Sequence, residues 1–508
     1  MTVTSFYFFL LLAVGVLLYY LLPHRIQWVV LTVLSVVFYF AAATPYTMLF
    51  LLAATLITYG STLYISARRT EDGTVPKLVS AVAVSAIFLN TLLWFLLKGS
   101  SFWILGSGLI HRAVPAFPIL PALPWVGALG MGYYTAQVIG YILDVLWGTA
   151  PVQRNPLKLF LFVSFFPQLT VGPISRYQDF SKVYEPHAFS YENICFGTQR
   201  ILWGLFKKLV IADRVGVIIS SIWAESTAGL WPWIAVFLYP LQIYTDFSGC
   251  IDIARGCART MGIHMAENFR RPYFSRTVPE FWRRWHMSLG TWMKDYVFYP
   301  FSLTKGVRTL GKKARNRFGK QFGRTLPIAL GNLLVFFLVG VWHGASWNYI
   351  VWGLFYGILI AVSGMMKPLF DTLNRRLHIP TRSMLFQLFQ ILRTFWITCI
   401  GCVIFRAESL SAITGMLGKC LQFTFPENLR SELLSFGLNK MNWVALALSL
   451  LILLIVDLMQ ERFEVGPWLE KRSFVIRYAV YGACAAMILV LGMYGAGIDS
   501  NSFVYMQF

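Results

Sequence analysis

Apolar runs of about 20 residues recur along the chain, separated by short polar stretches, and a helix of that length crosses a hydrocarbon core of roughly 30 Å. They lie near residues 5–22, 27–43, 46–66, 78–97, 125–147, 157–172, 328–343, 346–366, 386–405, 441–459 and 476–496. The stretch 194–249 breaks the pattern, because Lys207, Lys208, Asp213 and Arg214 interrupt its apolar run. One amphipathic and one spanning segment are expected there. The pattern predicts an all-α polytopic membrane protein with about 11 to 13 transmembrane helices. From about 165 to 350, polar, aromatic, Gly and Pro residues mix too freely for lipid-facing helices. Irregular backbone is tolerated at membrane depth only where protein or a water-filled cavity satisfies it, so re-entrant or amphipathic helices and a cavity are expected in that region. No period of 20 to 50 residues repeats and no long flexible linker occurs. One membrane domain over 1–508 is expected, with N-terminal helices over 1–100, a core over 101–366 and C-terminal helices over 367–508.

Composition narrows the class. Hydrophobic residues make up 57% of the 508 and charged residues only 13%, against about a quarter charged in soluble domains, which excludes an ordinary soluble enzyme. The formal net charge of +21 does not point to nucleic acid, since its cations cluster in loops between spans and not on a soluble face with base-reading groups. Arg68, Arg69 and Lys77 mark one loop, the acid-free segment from Lys305 to Arg324 a second, and Arg375, Arg376 and Arg382 a third. The positive-inside rule places these loops in the cytoplasm and, counting spans back from Arg68, the N-terminus outside. No Lys or Arg precedes Arg25, so the first apolar stretch lacks the basic region of a cleaved signal and is expected to remain as a span. The only CxxC, Cys399 with Cys402, has neither a second pair nor a nearby His. Packed cysteines, not a metal site, are expected.

Of seven histidines, His24, His111, His187, His264 and His378 lie near loops or helix ends. His343 closes the run PIALGNLLVFFLVGVWH and a further apolar span follows. An ionisable group at membrane depth is expensive and points to a pathway or a site. Gly340 and Gly344 would leave room for a ligand, and Trp342 and Trp347 would line a cavity; the plain alternative is a histidine bonded to a carbonyl at a helix end. In EFWRRWHMSLGTWMKDY, Arg283 and His286 share a helical face, and the cations interleave with Trp282, Trp285 and Trp292. This suits either a phosphate-gripping element or an interfacial helix in the aromatic belt. Asp246 follows an apolar run and either orients another group or caps the next helix, while Asp252 is spaced to pair with Arg255. The tract GVRTLGKK (306–313) lacks the final Ser/Thr and the strand-to-helix setting of a P-loop and is rejected as one.

Five stretches and the chain end, taken in order, resemble the membrane-bound O-acyltransferase family in its bacterial alginate O-acetyltransferase-like branch. They are FFPQLTVGPISRYQDF (165–180), LQIYTDFSGCIDIARG (241–256), ENFRRPYFSRTVPEFWRRWHMSLGTWMKDYVFYP (267–300), GVWHGASWNYIVWG (340–353), VIFRAESL (403–410) and the terminal SFVYMQF. The resemblance implies a helical bundle around a central funnel, entered from the cytoplasm by a thioester donor. It places His343 at the family's catalytic histidine and His286 at its second signature polar position, with Arg283, Trp285, Asp246, Trp342 and Asn268 as candidates for holding substrate or donor. No metal and no tightly bound cofactor are implied; the donor is an acyl-CoA, with acetyl-CoA expected, or a carrier-protein thioester. The acceptor is a cell-surface polysaccharide, or an exported transferase or esterase-like protein that acylates it, and the location is the bacterial inner membrane. Two other acceptor and function classes stay open: a D-alanyl transferase acting on teichoic acid, as in a sister branch, and a polysaccharide transporter or flippase, although transporters often show related halves and none are found here. A non-catalytic scaffold of a secretion complex is a third.

Overall fold

Backbone N–H and C=O groups find no water in hydrocarbon, so a spanning segment satisfies them within itself as a helix. The computed structural model, which describes residues 1–69, 75–98, 100–119, 129–224, 229–344, 346–422 and 424–494, bears this out: among the described residues every regular element is helical. Nine of these helices are long and apolar enough to cross a membrane: His24–Ala42, Pro45–Arg68, Lys77–Leu96, Leu230–Thr260, Lys320–His343, Trp347–Arg376, Met384–Arg406, Lys440–Gln460 and Phe474–Leu491. Phe6–Leu21 and Leu410–Leu421 are shorter apolar helices. The protein is a multi-pass, all-α membrane protein. Ser5, Thr304 and Ser383 cap their helices by accepting from Phe8, Val307 and Phe386 N–H groups, which satisfies donors that have no partner inside the helix.

Three expected elements differ. The expected span 125–147 is, among the described residues, the 17-residue helix Met131–Trp147, most of whose residues are buried by protein. The run 157–172 is not a span but the nine-residue helix Pro156–Ser164 followed by turns, and residues 159–174 are all buried. An apolar run reports what a segment avoids, and here protein rather than lipid covers it. The basic segment Lys305 to Arg324, read as a loop, is the helix Lys305–Phe318 turning at Gly319 (φ 90°) into Lys320–His343. Val307, Gly311 and Ala314 are its buried face. A Cβ on Gly311 would lie 2.9 Å from Pro327 and one on Gly323 2.4 Å from Arg315, so the two helices pack antiparallel. The tract 306–313 lies inside this helix, which agrees with rejecting a P-loop there.

The chain forms two compact units. The first comprises Met1–Arg214, Ile243–Ala266 and Lys440–Phe508. In it the helix Tyr191–Leu205 crosses the part of Leu230–Thr260 that belongs to this unit at a stripe of glycines. A Cβ on Gly204 would sit 2.5 Å from Gly249 O, and one on Gly256 2.6 Å from Gly197 O. Small residues let helix backbones approach where lipid supplies no hydrophobic drive. A π-helical stretch, Phe206–Ala212, follows, and its two lysines meet carboxylates. Lys208 Nζ lies 2.7 Å from Asp246 and 2.8 Å from Asp213, and Lys207 Nζ lies 2.6 Å from Asp252, which also receives Arg200 at 2.8 Å. Of the charges that interrupted the apolar run of 194–249, Lys207, Lys208 and Asp213 are therefore in buried pairs, while Arg214 donates to Asn442 Oδ1 and Val210 O. Asp252 binds Lys207 and Arg200; Arg255, the partner its spacing suggested, adds a favourable charge to the same carboxylate and donates to Met265 O.

The second unit comprises Val215–Gln242 and Glu267–Asn439. Its centre is the hairpin of Lys320–His343 and Trp347–Arg376. A Cβ on Gly340 would lie 2.4 Å from Tyr349 O, and one on Gly353 2.4 Å from Phe336 O. These glycines bring two helices together; Gly340 leaves no room for a ligand, contrary to the expectation from sequence. Met384–Arg406 is tied to the hairpin by Asn348 Nδ2, which donates to Phe405 O at 3.0 Å. Cys399 packs with Val236, Val403, Met416 and Cys420.

Candidate active site

His343 is the last residue of its helix and is 5% exposed. Rings enclose its imidazole: Trp342 at 5.1 Å between centroids, Trp352 at 5.2 Å and nearly perpendicular, Phe405 at 5.1 Å and perpendicular, and Tyr349 at 6.2 Å. Such edge-to-face contacts are the preferred geometry of aromatic pairs. Trp347, expected to line the cavity, is 48% exposed and takes no part.

His286 reaches the same place by a break in the backbone. The short helix Val278–Arg284 ends, Trp285 is extended, His286 adopts φ 44°, ψ 52°, and Met287–Met293 begins. A non-glycine residue in the left-handed region is uncommon and is held by its surroundings. Asn268 does the holding: its carbonyl accepts from Met287 N at 3.0 Å, and its Oδ1 accepts from Ser288 N at 2.9 Å and lies 3.3 Å from His286 Nδ1. Since a backbone N–H can only donate, the amide atom it meets is the oxygen. His286 Nδ1 therefore carries the proton, and Nε2 carries the lone pair. Burial pushes the His286 imidazole down to about 3, so it is neutral at physiological pH. Trp342 joins the two histidines, its ring lying 6.2 Å from that of His286.

Other sequence candidates fall elsewhere. Arg283 does not share a helical face with His286, because the helix ends between them; it is exposed, while Arg284 pairs with Glu280 at 2.8 Å. Trp285 stacks on Phe281 at 5.6 Å and meets Phe269 edge-on at 4.9 Å, a packing role. Trp282 is likewise interior, against Phe336, Trp352 and Tyr356, so an aromatic belt does not describe this segment. Asp246 belongs to the first unit, sits inside Leu230–Thr260 and not at its start, and has Lys208 for a partner. Sequence reasoning missed Tyr349, Trp352 and Phe405 as walls of the His343 site. The spacing of Tyr349, Trp352 and Tyr356 at three and four residues, which places them on one helix face, was the signal.

The two buried histidines thus share one indole, that of Trp342. The model of the membrane-bound O-acyltransferase family matches residues 35–312, more than half of the 508. The chain belongs to that family. This acyltransferase is 30% identical over 429 residues to a probable alginate O-acetylase of Pseudomonas putida, covering 83% of this chain and 80% of the relative. It is 30% identical over 323 residues to a peptidoglycan O-acetyltransferase of Helicobacter pylori, covering 57% and 56%. A teichoic acid D-alanyltransferase of Bacillus subtilis matches at 29% over 291 residues, covering 56% and 69%. The family match ends before His343, so the aromatic box rests on the geometry above. The terminal SFVYMQF lies outside the described residues.

The neutral state of His286 has a pH consequence. An unfolded histidine takes a proton near 6.5 and the buried one only near 3, so protons favour the unfolded chain as pH falls through that window and stability drops. In detergent, the thermal midpoint of the wild type is expected to fall between pH 7 and pH 4. His286→Asn, which tolerates the left-handed backbone and cannot be charged, should fall less. An equal fall in both would refute the buried neutral imidazole.

Proposed function

We propose that the protein moves an acyl group, acetyl, from a cytoplasmic thioester donor to a hydroxyl of an extracytoplasmic polysaccharide, or to an exported protein that passes it on. The site lies in a bacterial inner membrane, with the N-terminus extracytoplasmic. The observation that carries this reading is the pair of buried histidines, 5% and 3% exposed, brought to one indole. His343 is the general base: it takes the hydroxyl proton as the oxygen attacks the thioester carbonyl. The C–O bond forms, the C–S bond breaks, and the proton passes from His343 to the departing thiolate.

The developing oxyanion needs preorganised donors in a water-poor site. Asn268 Nδ2 and Trp282 Nε1 are buried and, among the described residues, meet no acceptor. An unsatisfied buried donor costs free energy unless something fills it, and a substrate carbonyl does so. Neutral His286 holds the Asn268 amide in place through its Nδ1 proton. The acetylase relatives favour acetyl; the D-alanyltransferase relative keeps a carrier-bound donor as the second reading.

Membranes containing the protein, given acetyl-CoA labelled in the acetyl group together with the cell-envelope fraction, are expected to label polymer or an envelope protein. Labelling only from a carrier-bound aminoacyl thioester would replace the acetyl reading. Substrate movement with no label from either donor would favour a transporter.

A further inference from the structure

The segment from Lys305 to Arg324 carries eight Lys and Arg and no acid, and the chemistry at His343 uses none of them. Its first part is the helix Lys305–Phe318, whose buried face of Val307, Gly311 and Ala314 lies on the helix Lys320–His343. Lys305, Arg308, Lys312 and Arg315 recur at steps of three and four residues, which sets them in one stripe on the side opposite that face. All four are exposed, as are Lys313 and Arg317. Among the described residues no carboxylate pairs with any of the six. Like charges one helical turn apart repel, so the stripe holds an excess of positive charge that an anionic surface relieves.

The depth of the stripe follows from the packing. A Cβ on Gly311 would lie 2.9 Å from Pro327 and one on Gly323 2.4 Å from Arg315, so in this antiparallel pair Gly311 is level with Pro327 and Arg315 with Gly323. The span turns apolar at Leu326, and Ile328 is its first exposed large apolar side chain, at 46%. The hydrocarbon therefore begins near Ile328, and the cations of the neighbouring helix lie beside that boundary, at headgroup level. Leu303, Leu310 and Phe318 are exposed among them, at 68%, 43% and 62%. Cations mixed with apolar side chains fit the zone between phosphates and acyl chains, where Lys and Arg lay their stems along the apolar layer and keep the charge in the polar one. An acidic protein face answers the charge; a phospholipid answers the charge with its phosphate and Leu303 and Leu310 with its chains.

We infer that the helix Lys305–Phe318 binds headgroups of anionic phospholipids in the adjoining leaflet, cytoplasmic by the positive-inside rule, through the stripe of Lys305, Arg308, Lys312 and Arg315. It stands apart from the acyl-transfer reading, and neither fails with the other. The test places the full chain in phosphatidylcholine nanodiscs carrying a trace of either phosphatidylglycerol or phosphatidylcholine with a photoreactive acyl chain. After illumination and digestion, mass spectrometry gives the ratio of the two labels on each peptide. A Lys or Arg near an anionic surface is worth about fivefold in partition, and four cations sharing one or two headgroups should raise the ratio at this helix by about tenfold to a hundredfold. High salt should shrink it. Replacing all four, as Lys305→Gln, Arg308→Gln, Lys312→Gln and Arg315→Gln, should bring the ratio here close to parity and leave it unchanged at the loop of Arg375, Arg376 and Arg382. If that variant is not monodisperse in detergent, Lys305→Gln with Arg308→Gln should lower the ratio part of the way. Equal labelling by the two lipids in the wild type overturns the inference, as does an unchanged ratio in a folded variant. Loss of the phosphatidylglycerol label on adding coenzyme A, or an acidic carrier protein, also overturns it, because the stripe would then belong to that anion.

Discussion

His343→Ala is expected to lower acyl transfer by about a hundredfold to ten-thousandfold, the usual contribution of a positioned acid–base group. Thioester binding should change little, because the rings that form the box remain. The imidazole fills one end of a hairpin whose close contact, Gly340 against Tyr349 O, lies on the backbone, so the variant should insert and fold. His343→Gln, similar in size but unable to accept a proton, should be equally inactive. The measurement is single-turnover transfer of labelled acetyl in detergent-solubilised enzyme of matched monodispersity. Near wild-type transfer by either variant would remove His343 from the chemistry and shift attention to the Nε2 lone pair of His286.

The second large effect is on stability. Lys208→Met should destabilise the first unit by about 3–5 kcal/mol, the cost of breaking a buried ion pair from one side. Lys208 and Asp246 are each 1% exposed, and the substitution removes the buried ammonium that both Asp246 and Asp213 contact. Adding Asp246→Asn to Lys208→Met should recover part of the loss, since a neutral amide needs only hydrogen bonds. The folded yield in detergent and the thermal midpoint test both variants. If Lys208→Met alone were as stable as wild type, the pair would contribute no net stability.

The acyltransferase site was partly legible. His343 stood out because one ionisable group closed a long apolar run, and that logic is local. His286 was legible as a residue type, but its setting was not. The helical face it seemed to share with Arg283 depends on a continuous helix, and the break there is held by Asn268, 18 residues before His286. The role of Gly340 was misread for a similar reason, as sequence marks a glycine but does not tell whether a ligand or a second helix uses the space.

By itself the sequence determined that this is a helical membrane protein and where most spans lie, because backbone groups in hydrocarbon must be satisfied within each segment and that demand is written residue by residue. It also marked the buried histidine and the basic segments. Only the tertiary structure decided which partner each buried charge has and which rings surround His343. The same structure showed that residues 157–172 face protein and that Lys305–Phe318 is a helix packed on its neighbour. Those outcomes depend on contacts between segments distant in the chain, where Lys208 meets Asp246 and Phe405 meets His343, and an apolar or charged residue carries no mark of the partner that will cover it.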